Sequence, residues 1–449
     1  MKISNEISSL ASIFRKEGFS LYLVGGAVRD FILGKENNDY DFTTDAEPWE
    51  VKKLFRRTID TGIKHGTVTV IFHGEHYEIT TFRTEGDYQD SRHPESVHFV
   101  KSLEEDLKRR DFTINAFAAS LPDGKILDFH DGMKDLKKKM IRAIGNPEER
   151  FSEDALRMVR AARFSSQLGF QIEKETLSAM SKLSETITRI SAERIKEELW
   201  KLINSKEPRL GLEAMRKTGI MERILPELAE TYGFEQGGMH HETLYEHLLL
   251  ALECARDHDY PMTVKLAALF HDIGKTKTRE KGDDREWTFY GHDKVSAALT
   301  DKIFRRLKTS NEEREAVCHL IANHMFAYSP DWTDSAVRRF INRIGVENIN
   351  NLFFLRVADM SATVGMRPIP DNLLAFADRI NAELEHENAL SIKDLKINGE
   401  KMKALGIKPG PLMGDILKKL LDEVIENPSL NTEEYLSERA ISLAQCQER

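Results

Sequence analysis

The chain has 449 residues, of which 40% are hydrophobic and 31% charged, and its formal net charge is −9. That length exceeds what one core serves and predicts roughly two to four domains. No apolar run reaches the ~18 residues of a transmembrane helix, three scattered cysteines form no disulfide or zinc pattern, and the acidic balance argues against a non-specific nucleic-acid coat. The N-terminus shows no signal-peptide core, so a cytoplasmic globular protein without a membrane partner is expected.

Ile3, Ile7, Leu10, Ile13 and Phe14 recur at helical spacing and predict a packed N-terminal helix. The apolar run Leu21–Val24 reads as a strand that ends at Gly25-Gly26, and Ala27–Leu33 reads as a helix. A strand, a glycine pair and a helix start bring backbone N–H groups and a positive dipole end to one point, which suits a phosphate. Arg29 carries a fork of donors within reach of a triphosphate bound there. Asp39 to Thr43 (DYDFT) reads as a second strand, whose period of two puts Asp39 and Asp41 on one face. Adjacent carboxylates repel unless a cation lies between them. Mg²⁺ typically binds through one or two carboxylates plus substrate phosphates.

Trp49–Phe55 reads as a helix, and Thr67–Phe72 and His76–Phe82 as strands that meet through His73-Gly74-Glu75. Glu78 reads equally well as an exposed strand residue and as a third carboxylate. Arg83 to Pro94 is polar and aperiodic, a mobile loop by its composition. Basic clusters stand at Lys108-Arg109-Arg110 and at Lys134, Lys137, Lys138, Lys139 and Arg142. From about Ile141 the pattern is helical to the end.

Within Glu153–Phe164, Asp154 and Arg157 lie three apart and share a predicted helix face, where the ordinary reading is an ion pair. A sharper reading is base recognition. Cytosine and adenine both present an amino donor beside a ring-nitrogen acceptor, which an Asp acceptor and an Arg donor complement. Guanine and uracil present the reverse order. Arg160 and Arg163 follow at spacing three and drift off that face, toward phosphate or RNA contacts. Further on, His247, His271-Asp272, His292, His324 and Asp359 form a series H…HD…H…H…D, and imidazole with carboxylate suits a divalent metal. A Gly/Pro turn at Leu405–Pro411 precedes an amphipathic helix over Ile416–Ile425.

The Gly25-Gly26 turn with Arg29, Asp39 and Asp41 resembles the signature of the tRNA nucleotidyltransferase and bacterial poly(A) polymerase family. Arg109 to Ala116 (RRDFTINA) resembles that family's RRDFT-x-NA segment, and Glu153 to Arg160 its EDxxRxxR pattern. Arg189–Glu198 resembles the neck helix that follows, and the His/Asp series resembles an HD phosphohydrolase domain. The resemblance covers nearly the whole chain and is closest to the class II CCA-adding enzymes.

It implies an α+β fold. A small nucleotidyltransferase α/β head with a mixed sheet (1–140) precedes an all-helical neck and body that bind base and tRNA (141–235). An HD metal-binding domain (236–365) and a helical tail (366–449) complete the chain. The implied activity is template-independent addition of CMP, CMP and AMP to the 3′ end of tRNA from CTP and ATP. Asp39 and Asp41 are the implied catalytic residues, holding two Mg²⁺ ions. Gly25, Gly26 and Arg29 take the phosphates, Arg110 the nucleotide, Asp154 with Arg157 the base, and Arg160 and Arg163 further nucleotide or tRNA contacts. Asp111 and Asn115 are expected to shape the ribose site. His247, His271, Asp272 and Asp359 are the expected HD metal set, for a divalent ion of open identity. His292 and His324 offer a second metal or a phosphate position, and phosphohydrolase activity is a further expectation.

A poly(A) polymerase would share the head, but its bacterial forms often carry a basic C-terminal extension, and the eight acidic against four basic side chains of residues 415–449 weigh against that reading. A CC-adding half-enzyme is expected to lack the loop present at Arg83–Pro94, which favours full CCA addition. An A-adding half-enzyme has no distinguishing mark, and the oligomeric state is open.

Overall fold

The structure is a computed structural model that describes the chain except residues 2, 38, 86–96, 238–241, 283–286, 365–368, 387–388 and 448–449. It divides into two compact units, Met1–Glu230 with Ile303–Thr309 and Thr231–Lys302 with Ser310–Arg449.

The first unit opens with helix α1 (Asn5–Lys16), capped by the Ser4 side chain and burying Ile7, Leu10 and Phe14. Its sheet comprises β1 (Leu21–Val24), β2 (Asp41–Thr44), β3 (Thr58–Gly62), β4 (Thr67–Phe72), β5 (Glu75–Thr81), β8 (Phe117–Ser120) and β9 (Ile126–Asp128), in the order β3-β4-β5-β2-β1-β8-β9. A separate hairpin pairs β6 (Arg83–Glu85) with β7 (Val97–Phe99). The sheet is mixed: β2 and β5 run parallel, and the other pairs run antiparallel. Strand β1 lies between β2 and β8, and its register sets Val24 opposite Asp41. The glycine turn that follows Val24 therefore emerges beside the start of β2. Helices α2 (Gly26–Ile32), α3 (Pro48–Leu54), α4 (Leu103–Lys108) and α5 (Gly132–Lys138) complete this half.

Several sequence expectations shift here. The strand read over Asp39–Thr43 begins only at Asp41, so Asp39 belongs to the preceding loop. Arg83–Glu85, read as loop, forms a strand, and residues 86–94 of that reading lie outside the described residues. The β4–β5 hairpin turns on His73 and Gly74, with φ of 53° and 93°, the left-handed pair that a two-residue turn demands. Strands β3, β8 and β9 carry little alternation. Phe117, Ala118 and Ala119 are buried together, as an inner strand covered on both faces would be.

The helical half of this unit runs through α6 (Pro147–Glu153), α7 (Leu156–Leu168), α8 (Lys174–Leu183), α9 (Ala192–Ile203), α10 (Pro208–Lys217), α11 (Ile220–Ile224) and α12 (Pro226–Ala229). Helix α7 packs against both α9 and α10. The continuous helix expected across Glu153–Phe164 is broken, because Asp154 is extended (φ −143°, ψ 104°) between α6 and α7.

In the second unit, α13 (Leu244–Asp257) packs against α14 (Met262–Phe270) and α19 (Val346–Val364). Between them in sequence lie α15 (Lys275–Thr278), α16 (His292–Arg306, of which residues to Lys302 belong here), α17 (Asn311–Asn323) and α18 (Asp334–Ile344). Helix α14 is buried from Val264 to Phe270, which leaves little freedom for the residues at its end. Helices α20 (Asp371–Glu385), α21 (Gly399–Ala404), α22 (Pro411–Glu426) and α23 (Glu433–Gln447) follow. The last three share a small core of Met402, Ile416, Leu420, Val424 and Leu436. Arg338 fastens it to the rest of the unit, donating to the Ile425 carbonyl (2.8 Å) and to Glu383 (3.1 Å). No helix among the described residues is long and apolar enough to cross a membrane.

Candidate active site and metal centre

In the first unit, the Gly-Gly turn, the acidic pair and the arginines converge. Gly25 has φ of +74°, a conformation that favours glycine. A Cβ placed there would sit 3.1 Å from Arg110 Nη1, a tight approach, and in ordinary contact with Asp41 Oδ2 at 3.8 Å. Asp41 lies in parallel register with Glu78 on β5, and both are exposed. Asp39 is held by its loop: its N–H donates to Asn37 Oδ1 (2.8 Å), and Asn37 Nδ2 donates to Asp30 (2.9 Å). Arg29 continues the chain of contacts, donating to Asp30 (2.8 Å) and Asn115 (2.7 Å). Its fork is thus committed to protein partners, whereas the sequence reading aimed it at a triphosphate.

Desolvation raises the Asp41 carboxyl above its ordinary value, Arg110 pulls it back, and Asp39 adds to the rise. Such a group is under electrostatic tension that a cation relieves. Asp111 behaves oppositely. Burial would raise it, but Arg160 and the Asn115 amide hold its carboxyl at about 2. One oxygen accepts from Phe112 N and Asn115 Nδ2, and the other from Arg160 Nε (2.9 Å) and Nη2 (2.6 Å). Asp111 is therefore a saturated brace.

Arg157 does not pair with Asp154. It donates to Glu153 (2.5 Å) and to the carbonyls of Arg150 and Arg109 (3.0 Å each). The break before α7 removes the shared helix face, and Asp154 instead meets Arg194 of α9 at 2.7 Å. Arg160 and Arg163 both bond Glu198, and the Arg163 guanidinium lies 3.9 Å from the centre of the Phe164 ring. Even so, Gly25, Gly26, Arg29, Asp39, Asp41, Arg110, Asp154, Arg157, Arg160 and Arg163 all line one cavity of about 550 Å³. Arg194, Asn37 and Asp30 line it too, and the sequence reading gave them no role. The sequence held a signal for Asn37, since Asn-Asn before Asp favours a side-chain-capped turn.

In the second unit, His247 of α13, His271 and Asp272 at the end of α14, and Asp359 of α19 form one group whose ligand atoms lie within 4.8 Å of one another. Asp272 with His292 and His324 forms a second. Asp272 belongs to both: Oδ2 lies 3.5 Å from the Nε2 atoms of His247 and His271, and Oδ1 lies 3.1 Å from His292 and 3.5 Å from His324. The Nδ1 atoms of His271, His292 and His324 meet the carbonyls of Ala268, Phe289 and Ile321 at 2.7–2.9 Å. A carbonyl cannot donate, so each Nδ1 carries a proton and each ring turns its Nε2 to the centre. His247 and His271 Nε2 lie 3.2 Å apart, and Asp359 Oδ1 lies 3.3 Å from His247 Nε2.

Imidazole nitrogens and carboxylate oxygens converging in this number suit a divalent metal ion. Burial pushes His271 down, yet Asp272 and Asp359 hold it above the ordinary imidazole value, which is the same demand expressed through a proton. Lys275 meets Asp272 Oδ2 at 2.6 Å and supplies part of the compensation. Gly274 explains the motif's glycine: a Cβ there would lie 2.5 Å from the His292 carbonyl and 2.6 Å from Ser296 N. The close approach of α16 that sets His292 against Asp272 needs that missing carbon.

Comparison with known proteins follows this division. The Poly A polymerase head domain model matches residues 21–142, a model described as the probable RNA and SrmB-binding site of polymerase A matches 169–231, and the HD domain model matches 244–383. The CCA-adding enzyme of Ligilactobacillus salivarius is 37% identical over 432 residues, covering 96% of this chain and 94% of that one. The chain belongs to the CCA-adding enzyme family. It is thus a tRNA nucleotidyltransferase. The CCA-adding enzyme of Latilactobacillus sakei is 38% identical over 94% of each chain. The crystal structure of the Bacillus stearothermophilus CCA-adding enzyme in complex with CTP superposes with a TM-score of 0.72 at 27% identity, over 99% of this chain and 98% of that one. The α+β expectation, a mixed-sheet head followed by helices, holds for this chain.

Proposed function

We propose that the first unit adds CMP, CMP and AMP in turn to the 3′ end of tRNA, taking CTP and ATP without a nucleic-acid template. The observation that carries this is the single cavity lined by both aspartates and by every residue assigned to the nucleotide. Asp39 and Asp41 offer the hard oxygen donors that suit Mg²⁺, and the raised Asp41 carboxyl fits a group awaiting a cation. Two such ions, when bound, supply activation of the tRNA 3′-hydroxyl and charge neutralisation on the departing pyrophosphate. Around them the protein's own groups orient the reactants. Gly25 leaves room for phosphate against its backbone, Gly26 extends that gap, and Arg110 stands beside Asp41 as the cationic wall. Arg29 braces the Asp39 loop through Asp30 and Asn115 at the edge of the phosphate position. Asp154 accepts from the base's amino group and Arg157 donates to its ring nitrogen, while Arg160 and Arg163 provide positive charge over Phe164.

The decisive experiment is primer extension on three tRNAs, ending before the first C, after one C and after both. Each is offered CTP, ATP, UTP or both correct nucleotides with Mg²⁺. Stopping at CCA on all three is the expected result. Extension only to CC, or only from CC, would mark a half-enzyme, and long A tails would mark a polymerase.

A second reading rests on the clustered histidine and aspartate ligand atoms of the other unit. That centre binds divalent metal through His247, His271, Asp272 and Asp359, with His292, His324 and the far oxygen of Asp272 as a second position, and it hydrolyses a phosphate ester. Phosphate release that requires added metal and survives Asp41→Ala is its signature.

A further inference from the structure

Asp154 lies in the break between α6 and α7, where Leu156 N at the start of α7 reaches only one of its two carboxylate oxygens. A carboxylate torsion of this kind is broad, so a base-reading Asp needs an external support. Helix α9 provides one. Arg194 and Glu198 stand four residues apart and share a face of that helix. Arg194 Nη2 donates to Asp154 Oδ2 at 2.7 Å, and Nη1 reaches Oδ1 at 3.5 Å. Oδ1 also accepts from Leu156 N at 3.0 Å. One turn on, Glu198 is nearly buried and bonds Arg160 (3.3 Å) and Arg163 (2.5 Å). The charged residues of the α7 region on both sides of Arg157 are thus gripped from α9.

We propose that Arg194 is a positioning residue for nucleotide choice: its planar fork fixes the plane of the Asp154 carboxylate and thereby sets the preference for CTP and ATP over UTP and GTP. This inference rests on the reading of Asp154 as the acceptor for the base. An ionised carboxylate has about four acceptor sites. The three contacts named above leave one, matching the one amino group that cytosine or adenine presents. A guanidinium fork defines a plane, whereas an ammonium defines only a point, so lysine cannot fully substitute.

The test compares Arg194→Ala, Arg194→Lys, Asp154→Ala and the double alanine variant by primer extension, with kcat and KM for CTP and UTP on a tRNA that lacks CCA. Arg194→Ala is expected to lower the CTP-over-UTP ratio of kcat/KM roughly tenfold, mainly through KM for CTP. Arg194→Lys should recover part of that ratio, and in the Asp154→Ala background the loss of Arg194 should cost nothing more. If Arg194→Ala fails to fold by its thermal midpoint, Arg194→Gln carries the same comparison. A ratio unchanged in the Arg194 variants but collapsed in Asp154→Ala would overturn the positioning role alone. A ratio unchanged in Asp154→Ala would overturn the base-reading assignment and this inference with it. Full additivity in the double variant would give Arg194 a separate role and overturn the proposal.

Discussion

The two charged centres of this chain handle charge in opposite ways. In the first unit, Asp39 and Asp41 are exposed and the arginines around them line an open cavity. In the second, His247, His271 and His324 are at most 1% exposed, and three of the rings of the centre are locked by backbone carbonyls. A site that receives a triphosphate and releases pyrophosphate each cycle needs donors that ions and substrate can reach. A site that retains a metal gains from burial, because low dielectric and preset tautomers make its ligands ready before the ion arrives. The first centre leaves its carboxylates open to solvent, and the second encloses its ligand atoms within the fold.

The sharpest way to break that comparison is to remove one centre at a time. Asp41→Ala should lower CMP incorporation at least about 10³-fold, equivalent to ~4 kcal/mol of barrier, while metal uptake by the second unit stays unchanged. His271→Ala should weaken that uptake at least about 100-fold by equilibrium dialysis with Mn²⁺ or Ni²⁺, and CMP incorporation should persist. Loss with Asp41→Ala of the same metal site that His271→Ala removes would mean that the two centres are not separate.

A smaller effect is expected at the base. Arg157→Ala should relax the choice of CTP over UTP by about 10- to 100-fold, read as a ratio of kcat/KM. Its guanidinium is held by Glu153 and two carbonyls, so the variant also reveals whether that rigidity matters. An unchanged ratio would remove Arg157 from base reading.

The smallest effects concern two carboxylates of the same cavity with opposite signs. The depressed Asp111 carboxyl stabilises the fold above pH 3.8, and that contribution disappears as pH falls toward about 2. The interval corresponds to roughly 2 kcal/mol, so Asp111→Asn should lower the thermal midpoint at pH 7. The raised Asp41 carboxyl works the other way. The folded state holds the proton more tightly, so stability is lost as pH rises past the unfolded value of 3.8 and stays lost at neutral pH. Asp41→Asn should therefore raise the midpoint slightly in metal-free buffer, and Mg²⁺ should narrow the gap. Equal shifts of one sign would contradict the division between brace and metal ligand.

Much of the site was legible because its chemistry is local in sequence. A glycine pair after a short apolar run, two aspartates one residue apart, and His-Asp after an apolar helix each carry their meaning within a few residues. The helix face read as shared by Asp154 and Arg157 is interrupted, because spacing of three implies a shared face only where the helix is continuous. Asp154 is extended and turns to Arg194, forty positions away. Arg29 illustrates the same limit. Its type and place suggest a phosphate ligand, and only the fold reveals that it also bonds Asp30 and Asn115, the latter 86 positions away.

The sequence by itself determined which chemical groups are present, the strand–glycine–helix start and the helical character beyond about residue 141, since hydrophobic period and turn residues act over one or two turns of chain. Only the tertiary structure decided which partner each charge takes. Arg160 chooses Asp111 and Glu198, Asp272 turns one oxygen to each histidine group, and Gly274 admits the backbone of α16. Those choices depend on which elements pack together. Packing brings residues tens of positions apart within 3 Å, a distance that no local pattern encodes.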